Sequence, residues 1–321
     1  MTIALILARW VHLSASILLA GLFLFEAAIV HPATKNPSAG AANQLETIRR
    51  LTCRTALWTL LVALISWFAW SWLVASTMTG DDLIACLQCG DWLTVLTGTQ
   101  FGHIWLFRVI VSLVFAIILW VVAGRPGRRS FLGAPLVVLS VIEVVSLAWA
   151  GHATASPGPF GIVHLLGDAA HLLAAAFWPG ALAPLAAFLF LLLKSSEVEV
   201  IKLAAPVVRR FSASSLIAVT GIASTGLING IFMVGSFQAL LTSAYGQILV
   251  SKLVLFSGMI GFGAWNLFLL KPKIAADLLT VQVGQARPLH LLLRNVLWEI
   301  GLGTVVILIV AVLGITPPPM R

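Results

Sequence analysis

The sequence predicts an all-α polytopic membrane protein: eight transmembrane helices forming two parallel four-helix repeats, with both termini periplasmic. Three observations predict it. The 321 residues are 60% hydrophobic and only 9% charged, against about 25% charged in an ordinary soluble domain. Apolar runs of roughly 20 residues, the length that crosses a bilayer as helix, recur eight times along the chain. Distinctive residues also recur at matching offsets: His12 is followed nine residues on by Gly21, and His171 nine residues on by Gly180. Phe101-Gly102 with Arg108 likewise matches Tyr245-Gly246 with Lys252.

The first run, 3–30, is expected to remain as a span, because no basic segment precedes it and no small-residue cleavage site ends it. A basic connection, 35–54, leads to the second span at 55–76. The loop 78–100 follows, holding Asp81, Asp82, Asp91 and a Cys86-x-x-Cys89 pair that is either a disulfide or a soft-metal site. Spans three and four lie at 104–123 and 132–150. The Gly- and Pro-rich stretch 151–159 cannot remain helical and joins the halves, 1–150 and 151–321. The fifth run, 161–193, is interrupted after Trp178 by Pro179 and Pro184, which predicts a kink. The last three runs, 212–234, 247–270 and 292–314, complete the second half. Four spans per half make a parallel repeat, related by an axis along the membrane normal.

The net charge of +8 does not indicate a nucleic acid, because of where it sits. Of 19 Lys and Arg, 15 fall in four alternate connections, and the other three connections carry none. That is the positive-inside pattern. It places the basic connections in the cytoplasm and accounts for the basic composition through the lipid bilayer alone.

An ionisable side chain inside a bilayer is expensive, and a chain that keeps one generally uses it. His12 and His171 each lie about 14 Å inside their spans at 1.5 Å per residue. His164, Asp168 and His171 are spaced i, i+4, i+7 on one helical face. His103 and His152 belong to the outward boundary. Together His12, His103, His152, His164 and His171 read as a histidine-lined entrance; neutral imidazole suits copper, zinc, iron and nickel. Arg9 and Asp168, matched in position and opposite in charge, either pair across the axis or leave Asp168 to orient an imidazole. Arg108 and Lys252 read as snorkelling cations or as partners of Glu143 and Glu299. Those two carboxylates otherwise continue a cation or proton path inward.

Several of these stretches resemble the copper-resistance D family of bacterial inner-membrane proteins, CopD- or PcoD-like. In the second half they are Arg210-Phe211-Ser212, Thr225-Gly226 followed by Asn229, Tyr245-Gly246 with Lys252, Asn266 and Glu299. In the first half and at the junction they are Arg9-Trp10-x-His12, Phe101-Gly102 with Arg108, Gly151-His152-Ala153, and Asp168-x-x-His171 with Trp178. The resemblance implies a protein that moves copper, as Cu(I) or Cu(II), from periplasm toward cytoplasm, and not an enzyme. It implies a periplasmic CopC-like copper-binding partner, here a separate chain because no such domain is fused. Two other readings stand beside it. His12 and His171 at equal depth would serve as axial ligands of a b-type haem in an electron-transfer protein, and a non-transporting scaffold would dock the periplasmic copper chaperone.

Overall fold

The computed structural model describes residues 1–34, 37–123, 129–150, 158–195, 197–274 and 287–319, with side chains for all of these except 123, 129–132 and 158–160. Among the described residues the secondary structure is helical, without strands. Eight helical stretches are long and apolar enough to cross a membrane.

The first span is α1 (Thr2–Phe25), continued by a π-helical turn, Glu26–Val30, and a last turn to Ala33. α2 (Ala39–Thr79) runs 41 residues, far beyond its apolar part. Its basic first half is held down by Arg49, whose Nε lies 2.8 Å from the Glu26 carboxylate at the end of α1. Gly80 ends α2 in a left-handed conformation (φ 82°) that side chains resist. Two short helices, α3 (Leu83–Gln88) and α4 (Asp91–Gly98), fill the next connection, with Asp82 accepting from two backbone N–H groups at the start of α3. α5 (Gln100–Ala123) and α6 (Arg129–Val145) complete the first half, and α6 passes into a 3-10 turn, Ser146–Ala150.

The fifth span is broken as its prolines require. α7 (Gly158–Phe177) stops before Trp178, and α8 (Pro179–Leu193) restarts with Pro179 in its first turn, where a missing N–H does no harm. A short helix, α9 (Val198–Lys202), precedes α10 (Ala204–Val234). Then come α11 (Phe237–Thr242), α12 (Ala244–Trp265) with a π-helical turn Asn266–Leu270, and α13 (Arg287–Leu313).

α1 is the hub. It packs on α2 and α6 of its own half and on α7, α8 and α13 of the other. The closest approach is between Gly21 of α1 and Gly180 at the start of α8, where a side-chain carbon on either would strike the other helix's backbone. Two positions at matching offsets from the two histidines thus meet. The peripheral helices turn large apolar residues outward, Trp58, Trp120, Ile217 and Phe268 among them, as a lipid-facing surface requires. Gly314, just past α13, packs against Arg9 of α1, so the last span ends beside the first turns of the chain.

Candidate functional site

α7 and α10 pack against each other along much of their length, and the polar face of α7 is aimed into that seam. His164, Asp168 and His171 line a cavity of about 250 Å³ with Asn229 of α10, Lys252 of α12 and Arg9 of α1. The Asn229 side-chain amide donates to Asp168 Oδ1 at 2.5 Å. Lys252 lies near enough to Asp168 and His171 to act on both electrostatically. His164 is 1% exposed and stacks on Phe232, with ring centroids 4.9 Å apart.

Bonding at His171 assigns its tautomer. Nδ1 lies 2.9 Å from the Thr225 hydroxyl oxygen, and that hydroxyl is itself 2.6 Å from the Gly221 carbonyl. A carbonyl only accepts, so the threonine proton goes to Gly221 and His171 Nδ1 must be the donor. The lone pair is then on Nε2, which has no hydrogen-bond partner among the described residues, on a ring that lines the cavity. A hydrogen bond from the other ring nitrogen is how a metal-binding histidine is held.

His12 has the same arrangement with the lone pair taken. Its Nδ1 is 3.1 Å from both the Ala63 carbonyl and the Ser66 hydroxyl. Ala63 can only accept, so Nδ1 carries the proton. Nε2 then accepts from Arg108 Nη2 at 2.9 Å. The ring sits edge-on between Trp70 and Trp105, with centroids 5.5 and 5.4 Å away. His12 does not line the cavity that holds His171. The two imidazoles therefore do not share that cavity.

Arg108 is not a snorkelling cation. It is 2% exposed. Its guanidinium lies 3.3 Å from a Glu143 carboxylate oxygen, donates to the Glu143 carbonyl and reaches the Ser146 hydroxyl at 2.5 Å. Ser112 donates to the other Glu143 oxygen at 2.5 Å. Glu143 is thereby paired, the second of the two expected alternatives. Glu299 is not paired with Lys252; it accepts from the Asn266 amide at 2.8 Å.

Arg9 and Asp168 share the cavity without forming an ion pair. The Arg9 guanidinium lies instead 4.5 Å over the Trp70 ring, in space that Gly314 leaves open. Asp168 accordingly orients Asn229. His103 is exposed at the start of α5, with Nε2 2.7 Å from the Thr97 carbonyl; it stands apart from the cavity. His152 lies outside the described residues. Cys86 and Cys89 are separate thiols, Cys86 buried and Cys89 exposed. Burial and the nearby Asp91 and Asp81 carboxylates push the Cys86 thiol up. A hydrogen bond shared with Asp81 raises the exposed Asp91 carboxyl. Among the described residues no three His, Cys, Asp or Glu side chains converge on one metal-sized point. The donors of α7 form a ladder, one helical turn apart, rather than a cage.

Sequence reasoning missed Ser66, Ser112, Ser146, the two tryptophans around His12 and the gap at Gly314. One signal was present: Ser66 and Thr225 each follow their histidine by 54 residues.

Residues 1–162 match the family of the copper resistance protein D-like N-terminal domain, and residues 205–313 match the copper resistance protein D family. The chain is 30% identical over 227 residues to inner membrane protein YebZ of Escherichia coli (strain K12), covering 71% of this chain and 72% of that one. It is 29% identical over 285 residues to copper resistance protein D of Pseudomonas syringae pv. tomato, covering 85% of each. It is 35% identical over 178 residues to copper transport protein CutJ of Bacillus subtilis (strain 168), covering 54% of this chain and 31% of that protein. No solved structure matches the chain.

Proposed function

The chain belongs to the copper resistance protein D family, and from that premise we propose that it carries copper across the bacterial inner membrane through the second-half cavity. One observation carries the reading: of the two hydroxyl-anchored histidines, buried His12 and half-buried His171, only His171 keeps an unengaged Nε2 on the wall of a cavity. Asp168 and His164 stand one and two turns away along the same helix face. Met233 also lines the cavity and adds a thioether suited to Cu(I). Copper would pass along these donors in steps. In the empty state Lys252 balances Asp168; an arriving cation takes over that role and leaves Lys252 repelled.

The sequence supports an orientation. With the basic connections cytoplasmic, the shared end of α1 and α13, where Arg9 meets Gly314, is periplasmic, and His164 stands nearer to it than His171. Movement is then from periplasm toward cytoplasm. Copper arrives from a separate, CopC-like periplasmic protein, for which the connection holding α3 and α4 is the larger landing surface.

Copper uptake by proteoliposomes tests the assignment. Replacing His171 by Ala lowers uptake at least about tenfold, the scale of losing one anchored metal contact. Uptake by His171→Ala equal to that of the unaltered protein would remove the cavity from the path.

A further inference from the structure

The cavity leaves one costly group unused. Glu299, on α13, is 2% exposed. One of its oxygens accepts from the Asn266 amide at 2.8 Å, and Asn266 in turn accepts from the Asn295 amide at 2.8 Å. The Trp178 indole lies beside the same carboxyl. Among the described residues no cation joins them. Its counterpart in the first half, Glu143, has Arg108 at 3.3 Å. Of two carboxyls matched in position, one is neutralised by arginine and the other is surrounded by neutral amides and an indole.

The charged groups nearby are committed elsewhere. Of the elements packed on α13, α8 has no titratable side chain and neither does the turn Asn266–Leu270. α12 contributes Lys252, which faces Asp168 and His171. α1 contributes Arg9, held by Trp70 beside Gly314, and His12, held by Arg108. An ionised carboxylate so placed is strongly disfavoured, whereas a neutral carboxylic acid is readily held by amide partners.

Glu299 also stands where space is available on two sides. It lines a mainly apolar space of about 520 Å³ among α1, α2, α8 and α13, which reaches Trp10 and Thr55 and is bounded outward by Trp58. It lines another of about 240 Å³ among α8, α10, α12 and α13, which reaches Ser212 and Asn266 and is bounded outward by Phe268. The break at Trp178–Pro179 lies between them, Trp178 on the second cavity and Pro179 on the first.

We propose that Glu299 is a proton-carrying group: it takes up and releases a proton in the course of transport, and so couples proton movement to the passage of the cation. The step is a plain protonation, a carboxylate and a proton giving a carboxylic acid, with no redox change. It rests on the cargo reading above only for what the proton is coupled to.

Two readouts on the full-length protein in liposomes test it separately. Infrared difference spectroscopy between neutral and alkaline pH, without copper, should show a protonated-carboxyl stretch that the Glu299→Gln variant lacks and Glu299→Asp restores at a shifted frequency. Glutamine keeps a neutral side chain of the same shape, so folding is preserved. The absence of any carboxyl band sensitive to Glu299→Gln overturns the proposal, whatever copper does. In vesicles loaded with a pH-sensitive dye, a Cu(I) gradient should change the lumenal pH in the unaltered protein and not in Glu299→Gln. A lumenal pH change of equal size in both overturns the coupling. Loss of copper binding in a His164→Ala, His171→Ala variant that keeps the carboxyl band leaves Glu299 standing and tests the cargo site alone. Copper binding that survives in that variant removes the cargo site instead.

Discussion

At the scale of single residues, what separates His12 from His171 is the second nitrogen. His12 and His171 share a tautomer and a hydroxyl anchor, yet Arg108 occupies the lone pair in one case. Arg108 is accordingly a keystone of the first half, neutralising Glu143 and capping His12. Replacing it by Ala leaves a buried carboxylate without a counter-ion, which costs about 3–5 kcal/mol. Thermal unfolding in detergent should show Arg108→Ala falling sharply, with much of the loss recovered in an Arg108→Met, Glu143→Leu pair. The thiols give a second expectation. Cys89 is exposed while Cys86 is buried with its thiol pushed up, so a membrane-impermeant maleimide added to spheroplasts should label Cys89 first. Since the reactive thiolate forms only as pH rises, Cys86 labelling should need more alkaline medium. Equal labelling of both at neutral pH would contradict the arrangement around Cys86, and protection of Cys89 in spheroplasts would contradict the orientation. Residue types and offsets made the charged positions legible in the sequence. Partners were not, because Arg108 reaches Glu143 and His12 through helix packing that no local spacing encodes.

At the scale of elements, hydropathy located all eight spans, and Pro179 located the break in the fifth. What it missed are the ends. α2 continues some four turns past its apolar segment, where Ala41, Leu45 and Ile48 are buried, Ser38 caps the first turn and Arg49 bonds to Glu26, tertiary ties that override charge as a stop signal. The two π-helical turns have no signature in composition. Glycine placement, by contrast, was informative. Gly102 and Gly246 both press against a backbone carbonyl six residues earlier, Leu96 and Leu240, and both N–H groups bond a hydroxyl three residues earlier, Thr99 and Ser243. Gly21 and Gly180 set the distance between α1 and α8. In a bilayer, where small residues let helix backbones approach, a side chain there forces the helices apart at a cost of about 1–3 kcal/mol. Gly21→Val should therefore unfold at lower temperature in detergent. Gly301→Ala, with nothing within 4 Å of the added carbon, should not. A Gly21→Val protein as stable as the parent would mean that the crossing is not close-packed.

At the scale of the whole molecule, two halves built on one pattern have diverged in what their polar centres do. In the first, arginine, glutamate and histidine close on one another in a buried core beside tryptophans. In the second, lysine replaces arginine at the matched position, no such closure forms, and a cavity stands in its place. The sequence shows the matched offsets but not the difference between them, since Arg108 and Lys252 are both single cations at the same offset. The difference is physical: a guanidinium can fork between a carboxylate, a hydroxyl and an imidazole at once, and an ammonium is a point charge without that planar reach. If the divergence is functional, ligand-linked stability should divide along the same line. A ligand that binds only the folded state at a hundred times its dissociation constant adds about 2.7 kcal/mol, so Cu(I) held in an anaerobic buffer should raise the unfolding temperature of the parent. His12→Ala should start from a lower temperature, having lost a buried network, and still show the rise. His171→Ala should start near the parent, since its hydroxyl partner Thr225 keeps a backbone acceptor in Gly221, and show no rise. The opposite assignment, a copper-dependent rise lost in His12→Ala and kept in His171→Ala, would move the cargo site into the first half and make the open cavity incidental.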